Sequence, residues 1–130
     1  MRTVSSFIRP ISPACLVATI ALLVAAPAGS AATSLKKCSL TVARSQQLGA
    51  TYVTKLKVRG VSCATGERVV KAFQSCRRAK GLRGRCRRKI LRYRCTDARP
   101  PDETIPTQLT GHVTCKRGTR RVNHVYQQNT

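Results

Sequence analysis

Tryptophan is missing from this chain, and acids nearly are: four Asp or Glu stand against 25 Lys or Arg in 130 residues. So few carboxylates leave no convincing acid pair of the glycosidase kind, since Asp102 and Glu103 fall in a proline-rich, solvated stretch. No GxSxG elbow occurs, and no glycine loop ends in Lys and then Ser or Thr, which argues against serine-hydrolase and nucleotide-cradling designs. Neither CxxC nor HxxxH spacing is present. A zinc site assembled from Cys86, Cys95, Cys115, His112 and His124 is therefore outweighed by disulfides, and no metal or cofactor is expected.

Long apolar runs are also scarce. The single one, ACLVATIALLVAA at 14–26, is shorter than the roughly 17 to 25 residues that a membrane span requires. Arg2 and Arg9 precede it and the small residues PAGSAAT follow, the layout of a secretory signal peptide. We expect a leader over 1–32, cleaved after Ala31 or Ala32, and one exported domain over 33–130 with no transmembrane segment. Cys15 opens the apolar stretch instead of following it, so it leaves with the leader. The expected location is extracellular or associated with the cell envelope.

What remains is small, basic and rich in cysteine. The leader takes two of the 25 basic residues, so 23 face the four acids and the domain carries a formal charge of about +19. A domain of this size, without tryptophan and poor in large apolar side chains, has a thin core that disulfides commonly offset in exported proteins. Cys38, Cys63, Cys76, Cys86, Cys95 and Cys115 permit three bridges in fifteen pairings. Cys76 and Cys86 flank a short loop and form the natural local pair. For the others the expectation is Cys63 with Cys115 and Cys38 with Cys95.

Periodicity predicts an α+β fold in the order β-β-α-β-β-β, with one helix packed on an antiparallel sheet of about five strands. CSLTVA (38–43) reads as a first short strand, and ATYVTKLKVRGVS (50–62) as a second, with Tyr52, Thr54, Leu56 and Val58 on its inner face and Lys55, Lys57 and Arg59 outside. The spacing of Cys63, Gly66, Val69, Val70, Phe73 and Cys76 is helical, with Ser62 or Thr65 as cap and Gly81 as stop. RRKILRYRC (87–95) reads as a strand with Leu91, Tyr93 and Cys95 inward and Arg88, Ile90, Arg92 and Arg94 outward. TDARPPDETIPTQ is a loop by its prolines. The last segment is a hairpin: with Arg117 and Gly118 at the turn, Leu109, Val113 and Cys115 share a face with Val122, His124 and Tyr126.

Several of these motifs occur together in a known group. VRGVSCATGERVVKAF, the cysteine pair around a basic glycine-bearing loop, YRC, HVTCKRG and VNHVYQQNT resemble small secreted disulfide-containing proteins of high-GC Gram-positive bacteria. The resemblance runs from about Leu56 to Thr130; that group more often has Ala and a basic residue where Gly66 and Glu67 stand here. It implies an exported compartment and a disulfide framework, and no particular reaction.

The densest charge lies in CRRAKGLRGRCRRKILRYRC, residues 76–95, which contain ten Lys or Arg and no acid. Arg77, Arg78, Lys80, Arg83, Arg85, Arg87, Arg88, Arg92 and Arg94 are the candidate contacts to an anionic polymer or anionic envelope surface. Tyr93 is the run's one aromatic, so base stacking and sequence-specific nucleic-acid recognition are not expected. A non-enzymatic binding protein is the expected function. The alternative, a secreted ribonuclease-like hydrolase, would need His112 and His124 at one site as base and acid. The hairpin register that gathers the apolar residues sets them on opposite faces, whereas a three-residue loop centred on Gly118 would set them directly opposite each other.

Overall fold

The computed structural model describes residues 34–130, so the expected leader at 1–32 lies outside the described residues. The elements are β1 (Lys36–Lys37), α1 (Val42–Gln46), β2 (Tyr52–Arg59), α2 (Cys63–Arg78), β3 (Arg94–Ala98), a 3-10 turn (Pro101–Glu103), β4 (Gln108–Arg117) and β5 (Arg120–Asn129). The strands form one antiparallel sheet in the order β1-β2-β5-β4-β3. This is the expected α+β architecture, with α2 as the one long helix among the described residues.

Helix α2 begins where Ser62 Oγ accepts a hydrogen bond from the Thr65 N–H at 3.1 Å. It ends as Gly81, at φ 90°, brings its N–H to the Arg78 carbonyl at 2.9 Å. Its inner stripe, Val69, Val70 and Phe73, is fully buried. Gly66 marks the closest approach to the sheet: a Cβ there would lie 2.6 Å from Val58 Cγ1.

The β4–β5 hairpin turns at Gly118 and Thr119, because Arg117 pairs with Arg120. That displaces the expected turn by one residue yet leaves the parity intact, so Leu109, Val113, Cys115, Val122, His124 and Tyr126 all face the core. Val53, Leu56 and Val58 of β2 join them.

Four expectations are corrected. The segment 38–43 is not a strand: the Cys38 N–H still reaches the Leu56 carbonyl at 2.9 Å, but Thr41 then caps α1, and Val42 is exposed. In β2 the register shifts between Val53 and Lys55, so the phase changes and Tyr52 and Thr54 turn to solvent while Val53 turns inward. The stretch 87–93 is not a strand either. Leu91 and Arg92 take φ values of 47° and 68°, reversing the chain so that Ile90 and Tyr93 bond to each other in both directions. Ile90 and Tyr93 are buried and Leu91 is exposed, the inverse of the expected alternation at 90 and 91.

The fourth correction concerns the bridges. They join Cys38 to Cys63, Cys76 to Cys86 and Cys95 to Cys115. The local pair is as expected, while Cys63–Cys115 and Cys38–Cys95 are not formed. Strand order explains this: Cys38 follows β1 at one edge of the sheet and Cys95 lies in β3 at the other, about 19 Å away across the intervening strands. Cys95 and Cys115 are instead direct partners in the β3–β4 ladder.

Candidate functional site

The structure divides the basic run into parts with different work. Arg77, one of the nine expected contacts, is fully buried and belongs to the core. Its Nε donates to Gln74 Oε1 at 2.8 Å, one Nη to Gln128 Oε1 at 2.8 Å and the other to the Leu82 carbonyl. The guanidinium also lies 4.6 Å from the Tyr126 ring centre. Burial lowers its pKa from the ordinary arginine value, opposed by the charges of Tyr126 and Asp97. A position in the last turn of α2, facing the sheet, takes it out of reach of any external ligand.

Arg78 and Arg83 are exposed but engaged. Arg78 donates to the Gly49 carbonyl at 3.2 Å, and Arg83 to the Pro106 carbonyl at 2.6 Å and to Thr130 Oγ1 at 3.1 Å. The loop between Cys76 and Cys86 is thereby fastened at several points. A further fastener lies outside the run: Arg99 donates to the Arg83 carbonyl at 2.7 Å and to the Gly84 carbonyl. Arg99 also forms an ion pair with Asp97 at 2.8 Å. Nothing in the local sequence around Arg99 signals this role, because the loop carbonyls it binds are fifteen and sixteen positions away in the chain.

What the fastened loop presents is a cleft of about 720 Å³, lined by Cys76, Ala79, Lys80, Arg85, Arg87 and Arg88. Four of the expected contact residues thus converge on one concavity, beside Cys76 and Ala79. Lys80, Arg87 and Arg88 make no side-chain hydrogen bond to any described residue, and Arg85 donates once, to the Asp97 carbonyl at 2.8 Å. No acid lines the cleft. Glu67 pairs with Arg44, Asp97 with Arg99 and Glu103 with His112. Arg92 lies on the reverse turn and Arg94 on β3, both exposed and apart from the cleft lining.

The histidines do not meet. His124 sits in the core, where burial, and then the charge of Arg77, push its pKa down to about 3. Its Nε2 is 3.4 Å from Gln74 Nε2, and its Nδ1 has no partner among the described residues. His112 pairs with Val125, one register position away, and so points to the other face, with Nε2 2.6 Å from Glu103 Oε2. An acid–base pair of these two imidazoles is not assembled. All six cysteines of the described residues are oxidised, which removes them as thiolate ligands. No described helix is long and apolar enough to cross a membrane. No protein-family model, no curated protein and no solved structure matches this chain.

Proposed function

We propose that the chain is an exported, non-enzymatic protein that holds an anionic polymer or an anionic envelope surface. The observation that carries this is the convergence of Lys80, Arg85, Arg87 and Arg88 on one cleft without an acid. Converging like charges repel one another, and a bound phosphate or carboxylate relieves that repulsion while its own charge is stabilised. The loop is ordered in advance by its disulfide and by Arg78, Arg83 and Arg99, so little freedom is lost on binding. Three disulfides fit an oxidising compartment.

The test is retention of the oxidised protein on heparin and on isolated envelope across a salt series. Replacing Lys80, Arg87 and Arg88 together by Gln should shift elution to clearly lower salt and flatten the salt dependence, since fewer counterions are released. Unchanged elution of that variant would refute the proposal.

A further inference from the structure

The sheet has a face turned away from α2, and the strand order builds on it something no segment of the sequence contains. Arg94 stands opposite Lys116, Lys116 opposite Arg121, and Arg121 opposite Arg59. The neighbouring row, Cys95, Cys115, Val122 and Val58, points into the core, so these four cations share the outer face. At about 4.8 Å per strand the row is about 14 Å long. Like charges directly opposed across strands destabilise a sheet, and no acid is interleaved here.

Two residues along the strands, about 7 Å away, runs a second row: Thr96, Thr114, Asn123 and Lys57. It offers hydroxyl, amide and ammonium groups in line beside the cations. A depression of about 270 Å³ lies over Lys57, Thr114 and Asn123. Arg121 Nε and Asn123 Oδ1, one in each row, are shielded from solvent without a hydrogen-bond partner among the described residues.

We propose that this face is a second anion-binding site, taking an extended polyanion with hydroxylated, phosphodiester-linked repeats laid across the four strands. A small anion reaches one or two of the cations, whereas a linear polymer meets all four in succession. The hydroxyl and amide row matches the polyol or sugar part of such a repeat. Among the described residues this face has no exposed aromatic for stacking bases, because Tyr52 lies at the opposite end of β2 from Arg59, so single-stranded nucleic acid fits less well. The site is independent of the cleft beside Cys76–Cys86.

The experiment uses the oxidised chain and a fluorescent poly(glycerol phosphate) of about ten repeats, with affinity followed by anisotropy over a salt series. Replacing Arg59, Lys116 and Arg121 together by Gln should weaken binding at least tenfold and lower the log-log salt slope by about 2, three contacts at about 0.7 each for a flexible strand. As a second readout, Arg121→Gln alone should raise Tm at low salt without polymer and reduce the Tm gain that polymer produces. If the face variant binds like the parent while the Lys80, Arg87 and Arg88 variant loses binding, this inference fails and the cleft stands. The reverse pattern supports the face as the site that takes this polymer. Binding of an oligothymidylate as tight as that of poly(glycerol phosphate) would overturn the assignment of a hydroxylated polymer.

Discussion

Arg77 and Arg78 are adjacent, identical in type and both in the last turn of α2, yet their replacement should have opposite importance. Truncating Arg77 to Ala removes three donor arms and leaves Gln74 Oε1, Gln128 Oε1 and the Leu82 carbonyl facing a cavity. Each buried acceptor without its partner costs about 1 to 3 kcal/mol, and a desolvated cation–π contact adds about 2. These terms overlap, and water entering the cavity recovers part of them, so the expected loss is about 4 kcal/mol. For a domain whose whole stability is about 5 to 15 kcal/mol that is a large share. Arg78 is exposed and makes a single bond to the Gly49 carbonyl at 3.2 Å, so Arg78→Ala should change stability by about 0.5 kcal/mol or less. Urea unfolding with the disulfides intact, followed by circular dichroism, reads both. At a slope of about 2 kcal/mol per molar urea, the Arg77 variant should lose about 2 M in its midpoint. A midpoint within about 0.5 M of the parent would mean that the buried guanidinium does not organise the interface between helix and sheet, and the reasoning would be wrong.

Three further outcomes are expected. His124 is neutral in the folded state down to about pH 3 but binds a proton below about 6.5 when unfolded, so its contribution to stability is complete above pH 6.5 and is lost as the pH falls towards 3. Unfolding free energy should fall by about 1.4 kcal/mol per pH unit in that window from this group, and His124→Gln should flatten the slope. Opening the Cys38–Cys63 bridge by a double replacement with Ala frees a loop of 25 residues and should lower stability by about 3 kcal/mol, measurable in the same unfolding experiment. Leu91→Asn with Arg92→Gly suits the two left-handed positions of the reverse turn and should raise stability by about 1 kcal/mol; a decrease would mean that Leu91 contributes contacts beyond the turn.

The parts of the fold that were legible are those governed by periodicity within one segment. The stripe Val69, Val70 and Phe73 and the Ser62 cap announce α2, and the alternation from Leu109 to Tyr126 fixes the hairpin face even with its turn misplaced by one residue. Where a single residue changes the phase, alternation misleads: the irregularity at Thr54 exchanges Tyr52 for Val53, and the left-handed pair Leu91 and Arg92 inverts Ile90 and Leu91. Pairings between distant segments were not readable. Cys38 and Cys95 are interchangeable as letters, but the sheet puts them at opposite edges. Charge is the hardest case. Ten basic residues in a row of twenty look alike, and only tertiary contacts make Arg77 a core residue, Arg83 a fastener and Arg87 a cleft wall. The row Arg59, Arg121, Lys116 and Arg94 is invisible in the linear chain, because the strand order collects it from four separate segments.

That strand order also dictates how the domain can be made. β5 lies in the middle of the sheet, bonded on one side to β2 and on the other to β4, yet it is the last of these strands to be synthesised. Tyr52 must wait for Gln127, and Arg59 for Arg121. Until then β2 has an unpaired edge, and α2 has no complete surface to pack on. Folding is thus governed by distant contacts that form late and together, which slows it and lengthens exposure of unpaired strands. Bridges that need only early segments, Cys38–Cys63 and Cys76–Cys86, are positioned to close during that wait and to shorten the search that β5 finally ends.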